Sequence, residues 1–262
     1  MYIDKYLETI QEDMGIAVGI GAAAIVANLT IVFLQSMVLA KTTKVDPKLS
    51  KRINNILKSP TKYVVHIMSN PSPNAFALGF GKHMFVTSSL LKLLNDKEID
   101  SILLHEAYHN KSKHTYQDLA YKYTMWSICL GILTATGFAF VPGSILAVYI
   151  LMHIMLNIAE IPYRITVGRR HEYNADSYAA QFGYGDYLIS AFNKLEKYME
   201  KLVRKQGSQC GAMCQVVNKI DRALDEHPST KNRVENILKQ SKKLKDASFK
   251  KVKDFVIKAW NN

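Results

Sequence analysis

The stretch LLHEAYHN, residues 103–110, holds the residue types and spacing in this chain that best suit chemistry. His105 and His109 are four positions apart, so on a helix they lie one above the other on the same face. Glu106 follows the first histidine and points about 100° away from it. Two imidazoles can therefore bind one metal ion while a carboxylate lies beside its open side. This is the arrangement of a zinc hydrolase, in which the carboxylate takes a proton from a zinc-activated water.

The sequence around this motif predicts a helix with a defined start. Residues 95–97, Asn-Asp-Lys, are typical of an N-terminal cap, and Glu98 falls in the first turn. Apolar residues then recur at helical spacing from Ile99 to Tyr108. A surface helix with two stray histidines is the alternative, and this local context argues against it.

Two histidines leave a zinc ion short of a protein ligand, so a third ligand must come from another part of the chain. The helix predicted over 169–183 offers Glu172, with His171 as an alternative. Asp176 lies four residues after Glu172 on the same face, where it can accept a hydrogen bond from a ligand histidine and fix its tautomer. Taken alone, this segment is more typical of an ordinary solvated helix face with an acidic pair.

Two long uncharged stretches, 14–40 and 123–159, separate the charged parts of the chain. Stretches of 18 or more mostly apolar residues predict membrane-spanning helices. We therefore expect a transmembrane helix at 14–40 and a transmembrane hairpin over 123–163 that folds back at 141–144. The alternatives for the second stretch are a hairpin that dips into the bilayer without crossing it and a buried soluble core.

The formal net charge of +12 is distributed along the chain in a way that favours membrane topology over nucleic-acid binding. Residues 1–13 are acidic, whereas 41–122 and 164–262 are basic. The positive-inside rule then places a short N-terminus outside the cytoplasm and both basic segments inside it. The excess of Lys and Arg reflects this topology and anionic lipid, so we expect a lipid bilayer as a partner and no nucleic acid.

The expected organisation is a protease core in two halves around the hairpin. The first half, 41–122, contains the HExxH helix, and the second half, 164–245, contains the third zinc ligand. The last segment, 246–262, is a basic amphipathic helix that either lies on anionic membrane or packs on the domain with its lysines in solvent.

Three short strands are predicted before the HEAYH helix, near residues 63–68, 74–79 and 82–88. We expect them to form a small antiparallel sheet. An edge strand beside a zinc cleft can bind a peptide through backbone hydrogen bonds, which favours a protein substrate.

The motifs and their order resemble the integral-membrane zinc endopeptidases related to the HtpX heat-shock protease and the CAAX prenyl endopeptidase. HEAYH is preceded by N-A-F-A at 74–77 and followed, after the hydrophobic hairpin, by an E-x-x-A-D helix at 172–176. The sequence HPSTKNR at 227–233 resembles that family's late HP-x(4)-R element. The resemblance covers residues 46–238, most of the chain.

This resemblance implies a mainly α-helical integral membrane protein with a small sheet and a gluzincin-type zinc protease core. It implies one Zn²⁺ per chain, with Glu106 as the general base. The implied zinc ligands are His105, His109 and Glu172, and Asp176 would support a ligand histidine. Tyr108 stands where the family usually has a small residue, and one hydrophobic segment precedes the core where relatives commonly have two.

The resemblance also implies how a substrate would be held. Asn74, with Ala75 and Ala77 on the strand, would contact the substrate backbone. His227 would approach the metal side, either to stabilise the oxyanion or to occupy the open coordination position at rest. Pro228 would lie in the first turn of the helix that follows.

The expected function is that of a membrane-embedded, zinc-dependent endopeptidase. It would cleave protein or peptide substrates, membrane proteins among them, at the cytoplasmic face of a cell or organelle membrane, in the manner of protein quality control. One alternative is a catalytically silent membrane scaffold or chaperone that keeps the protease fold. Another is a basic membrane-surface binding module whose working part is the C-terminal helix.

Overall fold

The computed structural model describes residues 26, 29–31, 33–78, 82–135, 145–207 and 227–260. Several predictions fall outside these residues. They are the N-terminal segment 1–13, most of the transmembrane helix at 14–40 and the hairpin turn at 141–144. In the last helix, side chains are described only as far as residue 246.

The described part of the chain is mostly helical and contains one small sheet. Its strands are β1 (Lys44–Val45), β2 (Val64–Met68), β3 (Ala75–Ala77) and β4 (His83–Thr87). Its helices are α1 (Pro47–Leu57), α2 (Ser88–Leu93), α3 (Asp96–Lys111), α4 (His114–Ala135), α5 (Ile145–Tyr163), α6 (Arg169–Gln181), α7 (Gly185–Gly207) and α8 (Thr230–Trp260). A π-helical turn, Arg164–Gly168, lies between α5 and α6.

The chain divides into two compact units. The first contains residues 1–42 and 114–164, and the second contains 43–113 and 165–262. In the first unit α4 packs against α5, where the rings of Tyr121 and Tyr163 stack with their centroids 4.0 Å apart. The second unit contains the sheet together with α1–α3 and α6–α8.

The sheet is mixed, so the prediction of an antiparallel sheet was wrong. Its strand order is β1-β2-β4-β3, with β2 parallel to β4 and the other two pairs antiparallel. The prediction assumed that consecutive strands pair. Here β4 inserts between β2 and β3, and the chain from 69 to 82 supplies the crossover that a parallel pair requires. As a result β3 is an edge strand.

Helix α3 begins as the sequence predicts. The Asn95 side chain accepts a hydrogen bond from the Glu98 N–H, and the Glu98 carboxylate accepts one from the Asn95 N–H, so the two residues form a capping box. Leu103, Leu104 and Ala107 are each at most 1% exposed and belong to the main core of the second unit. Burial against α6 and α7 therefore holds the HEAYH segment in a fixed position.

Among the described residues, one helix is long and apolar enough to cross a membrane by length and composition, namely Ile150–Gln181, which runs through α5, the π-helical turn and α6. Leu29–Thr42 is apolar but shorter. Ile150, Ile154 and Ile158 recur every four residues and are 50%, 51% and 63% exposed. Helix α5 thus exposes an apolar stripe, as a lipid-facing or partner-facing helix does.

Candidate metal centre

The two histidines of the HEAYH segment converge on one point. His105 is 5% exposed and its Nε2 lies 3.1 Å from Nε2 of His109. The i, i+4 spacing on α3 produces this approach, because both side chains leave the same helix face. Two nitrogen atoms are therefore available side by side to one ion.

Glu172, in the first turn of α6, completes a group of three. Its Oε2 lies 3.5 Å from His105 Nε2, and its Oε1 lies 3.2 Å from His109 Nε2. One ligand atom from each of the three side chains lies within 4.8 Å of the other two. The alternative third residue, His171, is not part of this group.

The geometry of this group suits a zinc ion. Ligands about 2.0–2.1 Å from a tetrahedral ion are separated from each other by roughly 3.3 Å. The observed separations of 3.1, 3.2 and 3.5 Å lie close to that value. In addition, the buried Glu172 Oε2 makes no hydrogen bond of acceptable geometry within the described part of the chain. Two imidazoles and a carboxylate are also a common zinc-hydrolase donor set.

The electrostatics of the group favour a bound cation. Burial opposes the charged form of His105, but the carboxylates of Glu172 and Asp176 outweigh it and raise the pKa of His105 to about 9. Burial likewise opposes ionisation of Glu172, yet the neighbouring histidines bring its pKa well below the usual range. A proton or a metal ion at this point is therefore strongly stabilised.

Asp176 lies directly behind His105. Its Oδ1 is 3.0 Å from His105 Nδ1 and its side chain is fully buried. With Nδ1–H donating to this carboxylate, Nε2 is left free to face His109 and Glu172, which fixes the tautomer a metal ligand needs.

Arg233 is the functional candidate that the sequence reasoning missed. Its Nε and Nη2 donate to the two Asp176 oxygens at 2.9 and 2.6 Å, and its Nη1 lies 3.3 Å from Glu172 Oε2. The only sequence signal for this role is its place at the end of HPSTKNR, because its partners lie on a different helix. Arg233 positions Asp176 and balances the negative charge of the group.

Glu106 lies between the metal group and the edge strand. Its Oε2 accepts a hydrogen bond from the Ala77 N–H at 3.0 Å. Burial raises the pKa of Glu106, against the lowering effect of the nearby histidines and of this hydrogen bond. A carboxylate with a raised pKa is a better acceptor of a proton from water than an ordinary surface glutamate.

The predicted substrate-contacting residues lie along the same edge. The backbone of Asn74 forms hydrogen bonds with Thr87 of β4, and Asn74 is an exposed residue. Ala75 pairs with Val86 and Ala77 pairs with Met84 on one side of β3. The other side of β3 is the sheet edge that faces Glu106.

His227 also reaches the group, with its Nδ1 3.0 Å from Glu172 Oε2 and its side chain 55% exposed. The helix after it starts later than predicted. Ser229 caps the helix, which begins at Thr230, so Pro228 precedes the first turn instead of lying in it. Tyr108, the departure from the family pattern, packs its ring on Tyr178 of α6 with a centroid distance of 5.2 Å.

Comparison with known proteins identifies the family. The model of peptidase family M48 matches residues 39–241, more than half of the chain. The chain belongs to peptidase family M48.

Relatives of this M48 chain carry the name of a protease. It is 26% identical over 204 residues to a protease HtpX homolog from Campylobacter concisus, with 69% of each chain covered. It is 30% identical over 196 residues to a protease HtpX homolog from Pyrococcus furiosus, with 67% of this chain and 66% of that one covered. The resemblance stated from the motifs is thus confirmed.

A solved structure shares the fold of this M48 chain. The crystal structure of S. mikatae Ste24p matches with a TM-score of 0.52 and 18% identity, over 81% of this chain. The match covers 56% of the Ste24p chain, so this protein spans little more than half of that length. The mostly helical architecture with a small mixed sheet is that of an M48 peptidase.

Proposed function

We propose that this M48 peptidase is a zinc-dependent endopeptidase that cleaves protein or peptide substrates at the cytoplasmic face of a membrane. The observation that carries the proposal is the convergence of His105, His109 and Glu172 beside Glu106. The three side chains provide the nitrogen and oxygen atoms for one Zn²⁺, and the fourth provides a proton acceptor at the open side.

The chemistry divides among these residues as follows. A zinc ion held by His105, His109 and Glu172 would supply Lewis acidity, which would lower the pKa of a water molecule towards 7 and polarise a peptide carbonyl. Glu106 takes the proton of the attacking water and later delivers it to the leaving amine. Asp176 holds the His105 ring in place throughout, and Arg233 holds Asp176. His227, which faces the group from the exposed side, stabilises the oxyanion or occupies the open position at rest.

The substrate backbone is proposed to add to β3 as a further strand. Ala75 and Ala77 line this edge, and the Asn74 side chain lies at its start, since the Asn74 backbone pairs with Thr87. The edge is not covered by another strand in the described part of the sheet. Main-chain pairing of this kind gives affinity that is independent of most side chains. It suits an enzyme that acts on many unfolded or extended segments.

The membrane part of the proposal rests on apolar length and charge. A transmembrane helix at 14–40 and a hairpin over 123–163 would leave 41–122 and 164–245 on one side, which the positive-inside rule makes the cytoplasm. The exposed apolar stripe of α5 supports contact with lipid. The helix over 246–260, which continues α8, is proposed to lie at the anionic surface or to pack on the protein.

The test compares the wild type with Glu106→Gln in purified full-length protein. We expect about one zinc per chain in both proteins, and a cleavage rate at least about 100-fold lower in the variant, since a general base contributes 10²–10⁴-fold. The measurements are zinc content by elemental analysis and cleavage of an unfolded protein with and without a chelator.

The matched control is Glu235→Gln, which removes the charge of an exposed glutamate on α8. It should leave both zinc content and cleavage unchanged. Persistent cleavage by Glu106→Gln would contradict the mechanism. A wild type that binds zinc and cleaves nothing would instead support the alternative of a silent scaffold.

A further inference from the structure

One of the three candidate zinc ligands lies at the end of its helix. His109 falls in the last turn of α3, which ends at Lys111, and its side chain is 21% exposed against 7% for that of His105. The last carbonyl groups of a helix have no partner within it, so this turn opens more readily than the middle of the helix. A ligand in this position therefore needs contacts that hold the last turn closed.

The backbone at this end of α3 provides only a weak stop. The Ser112 N–H donates to the Tyr108 carbonyl at 2.8 Å, and Lys113 follows with φ at +55°. Glycine adopts this left-handed conformation without steric cost, whereas the Cβ of lysine makes it unfavourable. We therefore expect side chains to supply part of the stability of the last turn.

Two side chains of the last turn of α3 contact the same ring on α6. Tyr108 packs against Tyr178 with 5.2 Å between the ring centroids and an angle of 43° between the ring planes. Lys111, three residues later on the same side of α3, places its Nζ 4.9 Å from the centroid of the Tyr178 ring. Tyr178 therefore contacts α3 on either side of His109 in the sequence.

Tyr178 is in turn supported by the core. Phe182, one turn later on α6, packs edge-on against it with a centroid distance of 5.0 Å and an angle of 64°. Phe182 also packs against the main core of the second unit. Because α6 carries Glu172, the aromatic cluster of Tyr108, Tyr178 and Phe182 joins the end of α3 to the helix of the third candidate ligand.

The spacing of the metal group depends on how α3 and α6 are joined. One helix alone determines the approach of His105 to His109, but the 3.2 Å between His109 Nε2 and Glu172 Oε1 spans two helices. On the His105 side, Arg233 and Asp176 provide the support. The aromatic cluster supports the same pair of helices on the His109 side.

We propose that Tyr108 and Tyr178 are positioning residues for the metal centre. Their ring contact, assisted by Lys111, holds the last turn of α3 closed and keeps His109 at binding distance from an ion shared with Glu172. The inference rests on the proposed zinc-dependent function and adds two residues that act through His109 and not on the reacting atoms.

The first test is the zinc affinity of Tyr108→Ala, measured by chelator competition on the purified full-length protein. We expect binding about 10–100-fold weaker than in the wild type, the usual cost of losing a group that supports a ligand. Tyr108→Phe keeps the ring contact and should restore the wild-type affinity. The matched control is Tyr187→Ala, which breaks a second aromatic pair of the same unit, Tyr184 and Tyr187 with centroids 5.8 Å apart, and should leave the affinity unchanged.

Tyr178→Ala tests the same contact from the other helix. This variant should lose zinc affinity to a similar degree as Tyr108→Ala. The double variant should lose no more than either single variant, because all three proteins lack the same contact. Losses that add fully in the double variant would show that the two rings act independently, and would overturn the proposal.

Hydrogen exchange of the full-length protein in the presence of a chelator tests the last turn separately from zinc. The backbone amides of 109–113 should exchange faster in Tyr108→Ala than in the wild type, whereas those of 100–105 should keep their rate. Unchanged exchange at 109–113, faster exchange along the whole of α3, or unchanged zinc affinity would overturn the proposal and leave the proposed function intact. A wild type that binds no zinc would overturn the proposed function, whereas a local rise in exchange would still support the hold of Tyr178 on α3.

Discussion

His105 is the residue on which the candidate centre depends most, because both of its ring nitrogens are engaged. Nε2 faces His109 and Glu172, while Nδ1 faces Asp176. A substitution on either side of the ring affects the contacts on the other side, because the position of one proton on the imidazole determines which nitrogen donates and which accepts. The group therefore acts as a unit with Arg233 at its far end.

Replacing Asp176 by Asn tests this coupling. Asn keeps the shape but removes the charge that pairs with Arg233 and can present its amide N–H to His105 Nδ1, so the required tautomer loses its support. We expect zinc affinity to fall about 10–100-fold, the usual cost of losing such a partner. The measurement is chelator competition on the purified protein. Asp186→Asn, at an exposed carboxylate on α7, is the control, and equal affinity in both variants would contradict the role.

Among single residues, the sequence predicted best the contacts that lie within one helix, and it missed one residue that links two helices. The spacing of His105 and His109 was enough to predict their convergence, because a helix determines which side chains share a face. Glu172 required the further argument that zinc needs another ligand. Arg233 could not be derived, because its 57-residue separation from Asp176 is bridged only by the packing of α8 on α6.

At the scale of the elements, α3 is positioned by a buried glutamate at its start. Glu98 is 1% exposed, and besides closing the capping box it accepts hydrogen bonds from Ser190 and Lys194 of α7, each at 2.7 Å. One side chain thus determines where α3 begins and how it docks on its neighbour. His105 follows about two turns later on the same helix.

Glu98→Gln should lower stability in a pH-dependent way, because Gln keeps the cap but loses the charge that pairs with Lys194. Burial opposes ionisation of Glu98, but Lys194, Ser190 and the Asn95 N–H outweigh it and lower its pKa. A carboxyl group whose pKa is lowered in the folded state stabilises the fold at pH values above its ordinary, unfolded-state pKa. That stabilisation is lost as the pH falls through the folded-state pKa.

We therefore expect the free energy of unfolding of the wild type to exceed that of Glu98→Gln by about 1–2 kcal/mol at pH 7. This difference should narrow below about pH 4.5. Melting temperatures of both proteins across pH 3.5–7 would measure the gap. Glu235→Gln should track the wild type throughout. A gap that does not change with pH would show that the ion pair does not contribute.

The boundaries of single elements followed from local signals more readily than their pairing did. Asp46 caps α1 with Pro47 at its first position, and this pair is a helix-start signal that can be read from the sequence alone. The strands were also found near their predicted positions. Their order was not, because nothing in the sequence of β2, β3 and β4 says that the last inserts between the other two.

At the scale of the whole molecule, the charge distribution along the chain predicts on which side of the membrane the candidate centre lies. If both basic segments remain in the cytoplasm, the candidate centre acts on proteins of that compartment. The family assignment is independent of this, since M48 membership rests on residues 39–241 as a whole. The sidedness stays a prediction.

Labelling of a single cysteine tests the sidedness. Lys197 is exposed on α7, so Lys197→Cys in a protein whose three native cysteines are replaced by Ser provides one reactive site in the second unit. A membrane-impermeant maleimide should label it only after cells are permeabilised. A cysteine at position 5 should react in intact cells and serves as the comparison. Labelling of Lys197→Cys from outside would reverse the proposed topology.

The hydrogen bond from the Ala77 N–H to Glu106 has a consequence for anyone who studies this enzyme by mutagenesis. The donor belongs to the main chain, so replacing Ala77 with any ordinary amino acid leaves it in place. Side-chain substitutions at position 77 therefore report on packing and substrate contact but not on this bond, which sets the proton affinity of the base. Only proline lacks the donor, and an edge strand is where a sheet tolerates proline.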